Sequence, residues 1–445
     1  MKNLENIYKN SPVVVQNLFC SAKGYLICKR RYNKSFFRYL DKFENREFDP
    51  RLRLYDFLTN IADVPFYKKL FQTYNFDVNA VDLHAELRKL PILTKEIAKD
   101  NMELISNPFY KGRVTKMRTS GTTGGGLVFP YSVAMENQHW AMWWRYRRWH
   151  GINLDTWCGW FAGTVIVPPK IKNTPFWRIN LPGKQVMFSA YHLNNSSVKY
   201  YHNEINKRGL TWLHGYPSQL SQLASLIIDQ QLAPVITVTH VTIAGENFLE
   251  NQKSMIQKAF PKAIIRQHYG QMEGVASISE NPEGRFVVDD DFGYIEFIPV
   301  SNDNPNLCHI IGTGFGNEAF PLVRYDTGDI AEVKVNSDGK IEVLAFDGRK
   351  EDFITLPNGV KLGRLDYIFR PLMVIKEAQI HQKDLHTINF NIVKRVNYRL
   401  SDEKKLLKEI RQRIVDDSIV ININYVDKIE RTKSGKLRFV ISDLK

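Results

Sequence analysis

The sequence predicts an α/β protein: a large N-terminal α/β domain that contains a barrel-like β subdomain, followed by a small C-terminal α+β domain. Three observations carry this expectation. Residues 158–243 alternate β-type and helix-type segments, the pattern of a mostly parallel sheet. Residues 285–348 then break into short strands parted by Gly, Asp and Asn. The last hundred residues return to a hairpin signal, an amphipathic helix and a strand. A chain of 445 residues has room for one large domain and one small one.

Taken in order, residues 1–75 read as a helical cover. Val13, Val14, Leu18 and Phe19 have roughly helical spacing, and Lys29-Arg30-Arg31-Tyr32 and Phe36-Phe37-Arg38-Tyr39 follow as basic and aromatic clusters. Two readings stand for this stretch: a cover packed on the main domain, or an amphipathic segment in weak association with a membrane surface. Arg51 to Tyr74 reads as another helix or pair of helices broken at Val64-Pro65. Val114 to Met117 and Leu127 to Tyr131 read as strands flanking a glycine-rich loop. Val133 to His150 reads as a long helix; its Met142, Trp143, Tyr146 and Trp149 suit plain core or the wall of an acyl pocket.

Strands are then expected at 158–167, 185–189, 212–214 and 238–243, with helices at 197–207 and 217–230. In the next region, 286–288, 294–298, 309–311 and 331–335 read as antiparallel or barrel-like strands. Asn358-Gly359 marks a hairpin. Ser401 reads as the cap of a helix with Leu406, Leu407, Ile410 and Ile414 on its inner face, and 419–426 as the final long strand.

The net charge is +14. Lys and Arg are spread along the chain without a basic tail or a nucleic-acid signature, so nucleic acid is not an expected partner. A positive field equally suits polyanionic small molecules. The four cysteines, Cys20, Cys28, Cys158 and Cys308, form no C-x-x-C pair. The spacing suggests neither a disulfide framework nor a zinc knuckle, and a cytoplasmic protein is the simplest expectation. No apolar run is long enough to span a bilayer, and no signal peptide is evident.

The chemistry centres on Arg118-Thr119-Ser120-Gly121-Thr122-Thr123-Gly124-Gly125-Gly126. Glycines allow close backbone approach, successive N–H groups can form an anion-binding nest, and the hydroxyls add donors. No Gly-Lys-Ser/Thr follows, so the loop is not of the Walker type. Three further stretches stand downstream: Gln267-His268-Tyr269-Gly270-Gln271-Met272-Glu273, Arg324-Tyr325-Asp326-Thr327-Gly328-Asp329 and Asp347-Gly348-Arg349-Lys350-Glu351-Asp352. Arg431-Thr432-Lys433-Ser434-Gly435-Lys436 lies near the end.

In order and spacing these motifs, over about residues 110–445, resemble the adenylate-forming (AMP-binding) superfamily. Within it the chain is most similar to the phenylacetate–CoA ligase-like proteins and their CapK-type branch in capsular polysaccharide biosynthesis. The resemblance implies an acyl-CoA synthetase-like fold, with an N-terminal AMP-binding domain over 1–348 and a mobile C-terminal lid over 349–445. It implies ATP and Mg²⁺ as cofactors, a carboxylic acid as substrate, and coenzyme A or a sugar amine as acyl acceptor.

By the same resemblance, Thr119, Ser120, Gly121, Thr122, Thr123 and Gly124 would hold the β- and γ-phosphates. Tyr269 would stack on adenine, with Gly270 allowing close approach and Gly245-Glu246 bordering the adenine and acyl pockets. Asp329 would accept from the ribose hydroxyls, and Arg349 would reach the ribose or a phosphate. Glu273 would be an oxygen ligand for Mg²⁺, Glu351 would be the hinge, and Lys436 would bridge the carboxylate and the α-phosphate as charge shifts.

Two departures stand out. Met272 occupies a position where relatives carry a phosphate-contacting Thr or Ser, and a thioether donates nothing. The Cys and His residues that look like zinc ligands in CapK-type relatives are missing from Asn281 to Phe286 and between Asp329 and Arg349, so no zinc is expected. Two rival functions follow: a conventional acyl-CoA ligase, and a non-catalytic nucleotide-binding scaffold.

Overall fold

The computed structural model describes all residues except 1, 120–126, 163–164, 169, 337–340, 350–353, 360, 363–364, 370–371, 373, 432–436 and 445. The chain opens with helices α1 (Lys2–Asn10), α2 (Val13–Arg31), α3 (Lys34–Glu44), α4 (Pro50–Ile61) and α5 (Pro65–Thr73). Their limits follow local chemistry. Asn33 caps α3 by accepting from Ser35 and Phe36 N–H, and Asp49 caps α4 ahead of Pro50 at the first helical position. Pro65 starts α5, so the break at Val64-Pro65 separates two helices as expected. Short helices α6 (Leu83–Leu87), α7 (Lys95–Asp100) and α8 (Met102–Ile105) lead to the hairpin β1 (Val114–Arg118) and β2 (Val128–Ser132). Ser132 then caps α9 (Val133–Trp149) through Met135 N–H.

The middle of the chain runs β3 (Cys158–Ala162), β4 (Trp177–Asn180), β5 (Gln185–Ser189), α10 (Val198–Lys207), β6 (Trp212–Gly215), α11 (Pro217–Asp229), β7 (His240–Ala244) and α12 (Glu250–Ala259). It continues β8 (Ile264–Gly270), β9 (Ser277–Glu280), β10 (Phe286–Val288), β11 (Gly293–Ser301), β12 (Asn304–Gly314), β13 (Tyr325–Val335) and β14 (Ile341–Arg349). The end comprises β15 (Ile354–Thr355), β16 (Lys361–Leu362), β17 (Ile375–Asp384), β18 (Thr387–Lys394), α13 (Leu400–Arg413), β19 (Val420–Tyr425) and β20 (Val440–Ser442).

Two compact units emerge. One comprises 1–24, 155–266 and 347–445; the other comprises 25–154 and 267–346. In the first, β7-β6-β3-β5 are parallel neighbours, and β4 closes the edge antiparallel to β5. β6 is buried at every position, as a parallel strand covered on both faces must be. Leu213, Val241, Ile243, Leu220, Leu223 and Ile256 are wholly or almost wholly buried in the same core. The same unit holds a second sheet, β19-β18-β17-β20, with Phe390, Ile392, Leu406 and Ile410 in its core. The expected hairpin is present, with Gly359 at φ +83, a value that favours glycine.

Four expectations need correcting. The strand begun at Cys158 ends at Ala162 rather than 167, and the last parallel strand starts at His240 rather than 238. The C-terminal helix begins at Leu400, and Asp402 reaches back to accept from Arg399 N–H, so Ser401 is not the cap. Leu407 is partly exposed instead of lying on the inner face.

The second unit is built from antiparallel pairs β11/β12, β12/β13, β10/β14, β10/β9 and β8/β9. Under them Arg145 makes a buried ion pair with Asp289 at 2.7 Å and a second with Asp291. Of the four α9 residues in that stripe, Met142 and Tyr146 are buried and Trp143 and Trp149 half-buried, and Trp143 Nε1 donates to His268 Nδ1 at 2.7 Å.

Candidate active site

In the second unit the glycine-rich loop joins the two strands of a hairpin in register from Val114↔Ser132 to Arg118↔Val128. Thr119 closes its base. Its N–H donates to Leu127 O at 2.9 Å, and its Oγ1 accepts from Leu127 N–H at 3.0 Å. Ser120, Gly121, Thr122, Thr123 and Gly124 lie outside the described residues.

Strand β8 delivers Tyr269. Alternation along the strand turns His268 inward, where it is buried. Trp143 can only donate, so His268 Nδ1 is the acceptor and Nε2 carries the proton toward Ser277 Oγ at 3.1 Å. Ser277 Oγ in turn donates to Asp289 at 2.5 Å. The residue before Tyr269 is thereby fixed from both sides. A Cβ on Gly270 would sit 3.0 Å from the His268 ring, a tight contact against a ring that Trp143 and Ser277 hold in place.

Tyr269 donates its phenolic O–H to Asp329 Oδ2 at 2.9 Å. Its ring stacks on Phe346, with centroids 4.7 Å apart and planes 13° from parallel. Burial first, and then the Asp329 carboxylate, push the phenol well above its ordinary pKa, so it remains a donor.

Asp329 is aimed by an irregularity in β13. The β12 pairing jumps from His309↔Ile330 to Ile311↔Asp326, so residues 327–329 bulge. Gly328 takes φ +74 there and donates its N–H to Asp326. Thr327 Oγ1 donates to Ile310 O and accepts from Asp329 N–H. The Tyr-Asp-Thr-Gly-Asp run is thus a shaped bulge that presents a carboxylate.

After Gly270 the chain turns over Gln271–Gly274, closed by Gly274 N–H to Gln271 O at 3.1 Å, with Gly274 at φ +67. Met272 and Glu273 occupy the two central positions. Met272 is 43% exposed. Tyr325 O–H donates to Glu273 Oε1 at 3.5 Å. A single carboxylate supplied by a turn would suit a Mg²⁺ ion that took its other ligands from phosphates and water. Among the described residues no group of three or more His, Cys, Asp and Glu is arranged to hold a metal. Cys308 is buried in β12 and donates to Pro305 O.

The first unit holds the other cluster. Gly245, at φ +82, turns the chain after β7 and presents Glu246. Glu246 Oε2 accepts from Ser218 N–H at 3.1 Å, in the first turn of α11, where the helix end favours an anion. Its Oε1 accepts from Leu437 N–H at 2.9 Å. Burial raises the Glu246 pKa, and Ser218, Leu437 and Arg431 hold it back only partly. Leu437 pairs antiparallel with Arg431, which is bound to Glu377 at 2.7 Å. The residue that follows Lys436 is therefore tethered to Glu246. Lys436 and Glu351 lie outside the described residues, and Arg349 ends β14.

Tyr269, Asp329 and Glu273 thus fall in one unit, and Glu246 and Leu437 in the other. Sequence reasoning assigned no role to Phe346, Tyr325 or Ser218. Phe346 carried no signal beyond an aromatic residue, Tyr325 stood inside a motif without a role of its own, and the contact of Ser218 is a backbone N–H bond.

Residues 356–443 match the CapK C-terminal domain family. The chain is 28% identical to protein CapK of Staphylococcus aureus, over 99% of this chain and all of that protein. Among solved structures, 2-hydroxyisobutyryl-CoA ligase with 2-HIB-AMP aligns with a TM-score of 0.65 at 14% identity, covering 89% of each chain. An anthranilate CoA ligase in complex with anthranoyl-AMP aligns at 0.51 with 12% identity, covering 80% of this chain and 73% of that one. The CapK resemblance read from the motifs is borne out, and the fold is that of the acyl-CoA synthetase-like ligases. Among the described residues no helix is long and apolar enough to cross a membrane.

Proposed function

We propose that the protein is an ATP-dependent ligase that activates a carboxylic acid as its acyl-adenylate and passes the acyl group to an acceptor in surface polysaccharide synthesis. The carrying observation is the convergence of two motifs 60 residues apart, in which Tyr269 O–H is bound to Asp329 in a bulge shaped to present that carboxylate. Phe346 covers one face of the Tyr269 ring, so adenine would take the other. Asp329 would accept from the ribose hydroxyls, as acidic residues do in other nucleotide folds. The loop after Thr119 would hold the terminal phosphates, and Glu273 would ligate Mg²⁺, which neutralises phosphate charge when bound.

In the step itself, a carboxylate oxygen attacks the α-phosphorus, and the bond to the β-phosphate oxygen breaks with release of pyrophosphate. Lys436 would hold the carboxylate and α-phosphate together as negative charge redistributes. Lys436 directly precedes Leu437 in the sequence, and the bond of Leu437 N–H to Glu246 supports this role. Arg349 would support the ribose, and Glu351 would be the hinge between the region 1–348 and the lid 349–445.

The similarity to CapK supports an acceptor that is a sugar amine or a carrier in capsule synthesis, with the protein working in the cytoplasm. Coenzyme A is the competing acceptor, since 2-hydroxyisobutyryl-CoA ligase is solved with 2-HIB-AMP and CoA. Carboxylate-dependent exchange of pyrophosphate into ATP tests the adenylation step, and its absence over a broad acid library would leave a nucleotide-binding scaffold. Preloading the enzyme with acyl-adenylate, then timing AMP release on adding coenzyme A or amino-sugar nucleotides, separates the two acceptors. Acceleration by coenzyme A alone would end the sugar-amine reading.

A further inference from the structure

Helix α2 is attached to the fold through polar groups. On its inner side Gln16, Asn17, Ser21 and Gly24 stand among the half-buried Val13, Cys20 and Ile27. Gln16 is buried and its Oε1 accepts from Arg178 Nε at 2.5 Å. Asn17 Oδ1 accepts from Ile179 N–H at 2.9 Å, and Ser21 Oγ accepts from Leu181 N–H at 3.2 Å. These bonds go to and just beyond β4, the strand that ends its sheet, so α2 satisfies backbone groups that an edge strand leaves open. Gly24 makes the close approach: a Cβ there would lie 1.9 Å from Asn180 Oδ1.

The outer side is apolar. At 100° per residue, Val14, Leu18, Ala22, Tyr25 and Leu26 fall within a single arc of about 120°. Val14 is 71%, Leu18 64%, Tyr25 57% and Leu26 67% exposed. Scattered exposed apolar residues are ordinary, but a continuous stripe marks an interaction surface. The fold does not use it, because the inner bonds already attach the helix.

The surrounding charge is of one sign. Residues 6–40 contain seven Lys and Arg and no Asp or Glu. Arg30 and Arg31 are taken by the buried Glu136. Lys23, Lys29, Lys34 and Arg38 remain exposed. An apolar helical stripe bordered by exposed cations has the chemistry of an interfacial helix, whose apolar side enters the acyl boundary while cations meet anionic headgroups.

We propose that the outer face of α2 docks the protein on an anionic lipid surface. A water-soluble enzyme could thereby meet a lipid-borne reactant without spanning the bilayer. The inference does not depend on the adenylating activity.

The test is sedimentation of the full chain with vesicles of equal parts phosphatidylglycerol and phosphatidylcholine, against vesicles of phosphatidylcholine alone. Binding is expected only to the anionic vesicles, and it should weaken as salt rises. Leu18→Glu with Leu26→Glu should reduce binding at least tenfold, with an unchanged circular dichroism spectrum and melting temperature because both side chains point away from the fold. Lys23→Glu with Lys29→Glu should reduce it severalfold. Absence of binding, or equal binding by wild type and the Leu variant, would overturn the proposal. So would a concentration-dependent dimer that Leu18→Glu with Leu26→Glu abolishes, which would make the stripe an interface between two copies of the chain.

Discussion

Removing one oxygen atom tests the proposed nucleotide half-site most directly. Tyr269→Phe keeps the ring and its stacking on Phe346 and deletes only the O–H that reaches Asp329 at 2.9 Å. A hydrogen bond to a charged acceptor contributes about 1.5–3 kcal/mol. Both side chains here are half-buried, which favours the lower end, or about a tenfold loss of ATP affinity. Asp329→Ala removes the carboxylate itself and with it the bonds proposed to both ribose hydroxyls, a loss of about 2–3 kcal/mol, or roughly 30- to 150-fold. The two effects should not add. In the Asp329→Ala background the phenol has lost its acceptor, so Tyr269→Phe should change affinity by less than about twofold. Titration calorimetry of the four proteins with ATP and Mg²⁺, with melting temperatures as a folding control, closes the cycle. Additive effects, or wild-type affinity in Tyr269→Phe, would refute a role for this bond in holding nucleotide.

Lys436→Ala should abolish carboxylate-dependent pyrophosphate release while leaving ATP affinity within about twofold, because the charge is needed mainly in the transition state; equal release by both proteins would remove it from the mechanism. Met272→Thr should keep or raise adenylation and leave the melting temperature unchanged, since Met272 is 43% exposed on a turn; a large loss in a kinetic assay would show that the thioether is used. Glu246 gives a signed pH effect. Burial raises its pKa, so the folded state holds this proton to higher pH than the unfolded state does. Stability should therefore fall as pH rises from the ordinary carboxylate value, about 4.3, through the raised one. Melting curves of wild type and Glu246→Gln across acid pH should differ in slope only in that window; parallel curves would contradict the assignment.

Much of this protein was legible in its sequence because the signals were local or highly specific in combination. The Val64-Pro65 break and the Asn358-Gly359 turn rest on backbone chemistry within a few residues. The parallel strands were legible because both of their faces are buried and so read as apolar runs. The motifs that carry Thr119, Tyr269, Asp329 and Lys436 announced a family because their order is rarely met by chance.

Tertiary structure decided the rest. The edge strand Trp177–Asn180 had no strong pattern of its own, since it is held by β5 on one side and by Asn17 and Ser21 on the other. The partners Phe346 and Ser218 were invisible because one acts through ring geometry and the other through a backbone N–H. Helix α2 illustrates the difference most clearly. Its sequence shows periodicity, but periodicity alone does not say which face turns inward. Here hydrogen bonds to a sheet edge and a close-approach glycine outweigh apolar burial, and the apolar stripe is left facing out.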